Sequence, residues 1–130
     1  MPDEILQKPG PLDDREWAFI RQHTLVGERI LRATPALRGV AKVVRSSHEH
    51  WDGSGYPDGL AGEDIPLASR IVMACDAYHA MTSDRPYRQA RTPDDALEEL
   101  MRLAGTQFDP TVVRVLVAHV RDEQESERAA

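Results

Sequence analysis

Apolar residues recur at steps of three and four through most of this chain, and nothing alternates with period two for long enough to make a strand. The first such run begins where Asp13 or Asp14 can cap it, with Arg15 and Glu16 in its first turn. It predicts a helix to about Arg32 or Ala33, ended by Pro35. A second helix is predicted from about Ala36 to His48 or His50, and a third from Pro66, as its first residue, to Met81. The fourth runs from Pro93 to Ala104, capped by Thr92, favoured by Asp94 and Asp95 in its first turn, and stopped by Gly105. A fifth opens at Asp109-Pro110 and runs to about Arg121. Residues 1–12, with Pro2, Pro9, Gly10 and Pro11, predict an irregular entry segment, and residues 122–130 a charged tail that frays. Trp51-Asp52-Gly53-Ser54-Gly55-Tyr56-Pro57-Asp58-Gly59 is a turn-rich loop that continues to Pro66. The pattern is that of an all-α domain, a bundle of about five helices.

Candidate chemistry sits on three helix faces. Ile20, His23, Gly27 and Ile30 share one face of the first helix, so His23 points inward with the apolar stripe. On that helix alone, a core histidine bonded to a carbonyl is the commoner arrangement. Val40, Val43, Val44, Ser47 and His48 form the stripe of the second helix; Glu49 and His50 fall on other faces, His50 toward solvent. In the third, Ile71-Val72-Met73-Ala74-Cys75 and Ala77 surround Asp76 with apolar positions, which predicts burial. A lone buried carboxylate is costly unless it is paired or metal-bound, so Asp76 is expected to need a cation, strong donors or a proton, a helix-packing hydrogen bond or an ion pair with Arg70 or Arg85 being the plain reading. His23, His48 and Asp76 then offer one inward ligand each, a set that suits zinc, iron, manganese or nickel. Arg85 and Arg88, either side of Pro86, are able to grip phosphate bidentately; a solvated surface pair is the other reading. No Ser-His-Asp or Cys-His nucleophile arrangement is visible, and Cys75 beside Asp76 reads as a packing residue.

Composition narrows the partners. The net charge of −6 argues against coating a nucleic-acid polymer, whose binding needs clustered basic charge, but leaves room for a small phosphate ligand held by a few local arginines. No apolar run approaches the roughly 18–20 residues of a membrane span. The N-terminus lacks the basic and apolar regions of a signal peptide, and one cysteine, Cys75, rules out an internal disulfide. These features predict a cytoplasmic protein with no membrane partner.

In order along the chain, His48-Glu49-His50-Trp51-Asp52-Gly53-Ser54-Gly55-Tyr56-Pro57 resembles the HD-GYP signature, usually His-His-Glu-x-x-Asp-Gly-x-Gly-Tyr-Pro. Asp76-Ala77-Tyr78, Ser83-Asp84-Arg85-Pro86-Tyr87-Arg88 and Gly105-Thr106-Gln107-Phe108-Asp109-Pro110 continue it, and His23 with Gly27, Ile30 and Leu31 resembles an earlier segment of the same family. The resemblance runs from residue 2 to about residue 117. It implies a partial HD-GYP domain over residues 1–121, HD-domain-like and truncated at its N-terminus. The family's activity is metal-dependent hydrolysis of cyclic di-GMP, a bacterial second messenger. The resemblance puts a divalent transition metal, iron or manganese, at His23, His48 and Asp76. It puts Tyr56, Arg85 and Arg88 against the dinucleotide and its phosphates; Glu49, Asp52, Gly53, Gly55 and Pro57 complete the motif.

Two departures alter the expectation. Ser47 stands where the family pattern has a histidine, and a neutral hydroxyl is a poor ligand for a transition metal. The family's His-Asp-x-Gly-Lys motif would precede Pro2, so the isolated chain is expected to be inactive and to retain metal poorly. The alternative is a non-catalytic module that binds a cyclic dinucleotide, or a protein partner through the Gly55-Tyr56-Pro57 loop. Apolar faces left uncovered would favour a homo-oligomer.

Overall fold

In the computed structural model, which describes residues 11–129, Asp13 opens the first helix through a capping box. Its carboxylate accepts the Glu16 N–H at 2.8 Å, and the Glu16 carboxylate accepts the Asp13 N–H at 3.1 Å. The expected entry segment lies, up to residue 10, outside the described residues. What reads as one first helix is two, α1 (Asp14–Arg21) and α2 (His23–Arg32). They part at Gln22, whose N–H reaches back to the carbonyl of Phe19 as in a tightened last turn. The second expected helix is also shorter. A 3₁₀ turn, Pro35–Leu37, leads into α3 (Arg38–Arg45), and the chain has left the helix before His48.

The remaining helices are α4 (Leu67–Met81), α5 (Pro93–Leu103) and α6 (Pro110–Ala129). Pro66 is the cap of α4 rather than its first residue. Thr92 caps α5 as its sequence requires, accepting the Asp95 N–H at 3.2 Å, and Gly105, at φ +89°, turns the chain after it. Helix α6 continues to Ala129, past the point near Arg121 where the charged tail was expected. Residues 122–129 contain no glycine or proline to stop it, and Gln124 bonds back to Asp94 of α5 at 3.3 Å. The described residues are helical with isolated bridges and no strand, the all-α class that the periodicity predicts. No helix among them is long and apolar enough to cross a membrane.

Packing follows the same stripes. Ala74 and Met81 of α4, Leu97 and Leu100 of α5, and Val113 and Val117 of α6 close around Phe108. Separately, α2 and α3 lie against each other as a tight pair. A Cβ on Gly27 would stand 2.9 Å from Val44 Cγ1, so the absence of a side chain there sets how near the two helices come. Buried Ser69 joins the halves, its hydroxyl donating to the Val43 carbonyl at 2.8 Å.

Three expectations of burial fail. Ile30 is 64% exposed and Val40 46%, although both belong to inward stripes, because the contact between α2 and α3 centres on Gly27 and Val44 and leaves these positions beyond it. Helix α4 is not buried all round: Ile71 and Val72 are exposed, and so is Asp76. Its core contact runs through Ser69, Ala74 and Met81, which leaves the Asp76 face open. Asp76 therefore escapes the desolvation that would have demanded a cation. Arg70, one of its expected partners, reaches Asp109 instead, at 2.7 Å, with the Asp109 side chain only 4% exposed. The other Asp109 oxygen accepts the Thr111 N–H at 2.8 Å, so this residue caps α6 while pairing with α4.

Candidate functional site

The break at Gln22 makes His23 the first residue of α2, and its Nδ1 meets the Ile20 carbonyl in a short contact. A carbonyl only accepts, so Nδ1 carries the proton. The bond expected of a core histidine is therefore present, and it leaves Nε2 as the bare lone pair that a metal or a proton would take. His48 arrives from the other side, in the turn that follows α3. The two rings stand edge to face with centroids 4.8 Å apart. Two imidazoles on one ion, with metal–nitrogen bonds of about 2.0–2.1 Å, hold their ring centres on the order of 5 Å apart, so the pair fits as two ligands of a shared ion.

Tyr56 completes an aromatic cluster. Its ring stacks on His48 at 5.3 Å and 7°, and lies 6.4 Å from His23. The loop reaches this position because position 55 has no side chain. A Cβ on Gly55 would fall 2.4 Å from both the His48 carbonyl oxygen and the His50 nitrogen, so only glycine lets the two backbones touch. The Tyr56 N–H then donates to the His48 carbonyl at 3.2 Å. Gly55 and Tyr56 are thus engaged with the protein's own chain on the face that the sequence offers to a partner.

Two carboxylates pin the far side of the loop. Glu49 is 1% exposed, and its oxygens accept the N–H groups of Asp58 at 2.7 Å and Leu60 at 2.9 Å. Asp58 is gripped by both nitrogens of an Arg45 fork at 2.8 Å each, while the third Arg45 nitrogen reaches Glu28 of α2 at 3.0 Å. The hydrogen bonds from Asp58, then from Glu28, hold the Arg45 guanidinium above its ordinary pKa, and the Arg45 bond holds Asp58 below the usual carboxylate value. Nothing in the sequence pairs residues 28, 45 and 58. They meet only when the α2–α3 pair and the loop are both formed.

Asp52 and His50 form a smaller motif. Asp52 Oδ1 accepts the Ser54 hydroxyl at 2.6 Å and its N–H at 3.0 Å, and His50 Nδ1 is 3.1 Å from the same hydroxyl. The serine proton is already given to Asp52, so His50 donates to Ser54, the reverse of what a nucleophile needs. The bond also draws His50, expected to face solvent, into a half-buried position.

His23, His48 and Tyr56 are therefore gathered; the other candidates are not. Among the described residues no three His, Cys, Asp or Glu side chains come close enough to hold a metal ion. Asp76 reaches the pair only through its field. Burial pushes the His48 pKa below 6.5, the charge of His23 pushes the same way, and Asp76 opposes both. An NMR titration of the His48 ring protons is expected to show a midpoint below 6.5, lower still in Asp76→Asn. A midpoint at or above 6.5 would contradict the placement. The sign for stability follows: the unfolded chain takes this proton first, so the contribution of His48 is whole above pH 6.5 and is lost as pH falls through the folded value.

Arg85 and Arg88 close a turn after α4, exchanging backbone hydrogen bonds at 2.9 and 3.2 Å. They line a different cleft from the one beside Tyr56. Arg88 Nη2 donates to the Ala80 carbonyl at 3.1 Å, while its Nε is buried without a partner. Gly53, at φ +85°, and Pro57, in a cis peptide with Tyr56, shape the loop. Ser47 is turned from the site, its hydroxyl donating to the Val44 carbonyl at 2.8 Å.

Known proteins share this architecture. A family model described as HD domain matches residues 1–112. A 3'3'-cGAMP-specific phosphodiesterase of Vibrio cholerae is 43% identical over 121 residues, 92% of this chain and 23% of that protein. A cyclic di-GMP phosphodiesterase of Thermotoga maritima is 40% identical over 119 residues, 90% of this chain and 32% of its own length. The crystal structure of a cyclic GMP-AMP specific phosphodiesterase of V. cholerae superposes with a TM-score of 0.71 at 23% identity, over 94% of this chain and 32% of that one. The likeness in shape shows the fold. The chain spans between about a quarter and a third of the curated relatives it matches.

Proposed function

The chain belongs to the HD domain family, in its HD-GYP branch, and from that premise we propose that it carries one wall of a metal-dependent site that binds and hydrolyses a cyclic dinucleotide such as cyclic di-GMP. The observation that carries the reading is the imidazole pair: His23 and His48, 4.8 Å apart, with a free Nε2 on His23 and no protein hydrogen bond to the His48 ring among the described residues. The names of the relatives, which specify cyclic di-GMP or 3'3'-cGAMP, support the substrate class.

In this reading His23, His48 and Asp76 would hold the iron or manganese ion. The metal, when bound, supplies charge neutralisation at the phosphate and activates water. Tyr56, stacked on the His48 ring, contacts the dinucleotide. Arg85 and Arg88 contribute guanidinium groups to its phosphates. Because no third carboxylate or imidazole stands with the pair among the described residues, the chain by itself is expected to bind Mn²⁺ loosely and to turn over slowly or not at all.

Calorimetry of the purified chain with Mn²⁺, then with cyclic di-GMP, tests this. Metal affinity is expected to fall at least tenfold in His23→Ala and in His48→Ala. Affinities left unchanged by both substitutions would sink the metal assignment. Absence of cyclic di-GMP binding by the Mn²⁺-loaded chain would sink the dinucleotide assignment.

A further inference from the structure

The cleft beside Tyr56 has a residue that no part of the reading above employs. It encloses about 370 Å³ and is lined by Arg21, Gln22, Leu25, Ser54, Gly55, Tyr56 and Pro57. Its position follows from the helix break. Because α1 ends at Arg21 and α2 starts afresh at His23, the last side chain of α1 is set at the rim of the cleft, two residues before an imidazole of the pair.

Arg21 is exposed and pairs with no carboxylate among the described residues. Its guanidinium lies 5.9 Å from the centre of the Trp17 indole, which itself is 41% exposed. Arg21 lines the same cleft as Tyr56. The neighbouring Arg45, in contrast, has its fork filled by Asp58 and Glu28. The rim of this cleft therefore carries a fork of donors with no carboxylate partner among the described residues, held over an indole, with Tyr56 belonging both to the cleft and to the stack on His48.

We propose that Arg21 is a substrate-positioning residue: it takes the phosphodiester of the cyclic dinucleotide that lies away from the histidine pair. This rests on the functional reading above and extends it. A cyclic dinucleotide has two phosphodiesters, and only one can stand at the imidazoles at a time. The other needs charge of its own, and a fork-shaped cation matches two phosphate oxygens. Binding energy collected at this remote group would hold the reacting one in place.

The test is calorimetry of the full chain with cyclic di-GMP and with cyclic di-AMP, comparing wild type, Arg21→Ala and Arg21→Lys. Arg21→Ala is expected to weaken both ligands by about 10- to 100-fold, the range of one charge-assisted contact. Arg21→Lys should recover part of that loss, because it restores the charge without the fork. Arg21→Ala should also flatten the dependence of affinity on salt, which a merely structural role would not do. Melting temperature, read alongside, is expected to stay within a few degrees of wild type. Equal binding by wild type and Arg21→Ala would overturn this inference alone. A loss confined to the guanine ligand would overturn the phosphate assignment. Absence of binding by every protein would overturn the functional reading, and this inference with it.

Discussion

Replacing Glu49 by alanine is expected to destabilise the protein by about 3–5 kcal/mol, because two charge-assisted hydrogen bonds of roughly 1.5–3 kcal/mol each are lost at once. The residue is 1% exposed, and its two oxygens accept the N–H groups of Asp58 and Leu60. Alanine leaves both donors without an acceptor and leaves space where the carboxylate stood. The loss should appear as a lower urea midpoint with little change in slope. It should also appear locally: freed from residues 58 and 60, the loop no longer holds Tyr56 on His48, and the ring-current shift of the stacked pair should weaken. Glu49→Gln is the finer probe, since it keeps the shape but turns an NH₂ toward one of the two N–H donors; it is expected to be intermediate. An alanine variant within about 1 kcal/mol of wild type would mean that water replaces the carboxylate without penalty.

Breaking the Arg70–Asp109 pair is the second large effect. With side chains 14% and 4% exposed and 2.7 Å between them, removal of one partner leaves the other charge in the interior. Arg70→Ala is expected to cost about 3–5 kcal/mol, as for buried pairs elsewhere. The double variant Arg70→Met with Asp109→Asn should be less destabilised than Arg70→Ala alone, because no bare charge remains and the asparagine still accepts the Thr111 N–H. The pair also sets an acid limit. Burial would raise the Asp109 pKa, but the hydrogen bonds from Arg70, Thr111 and Val112 together outweigh it and hold the carboxyl below 3.8. The contribution is therefore whole above about pH 4, where the unfolded carboxyl is ionised, and is lost as pH falls through the lower folded value. Chemical denaturation at pH 7, 4 and 2.5 should show a drop between the last two that is smaller in the double variant. A drop of equal size in both would assign acid sensitivity to other groups.

Helices were legible because their causes are local. Thr92 with Asp94 and Asp95, and Gly105, each act within a turn or two, and the structure starts and stops α5 where they predict. The loop signature was legible as a motif, but the work of its parts was not. Glu49 reads as one more residue off the apolar stripe, and only coordinates show it closing on residues 58 and 60. Asp76 misled for a related reason. An apolar neighbourhood in sequence predicts burial only if other elements cover every face, and α4 is covered on one side. The same logic explains Ile30 and Val40. Arg45 with Glu28 and Asp58, and Arg70 with Asp109, depend on separations of 13 to 39 residues that carry no periodic trace. Arg21 was passed over because a helix with no break at Gln22 would have sent it elsewhere.

The contact between Gly27 and Val44 has a consequence for how such a site could be retuned. His23 is one turn before Gly27, and His48 follows Val44 by four residues beyond the end of α3, so this contact helps to set the spacing of the two imidazoles. Trimming residue 44 would let the hairpin of helices sink together, and enlarging residue 27 would wedge it open. Either change would alter the spacing of the histidine pair from a position remote from both rings.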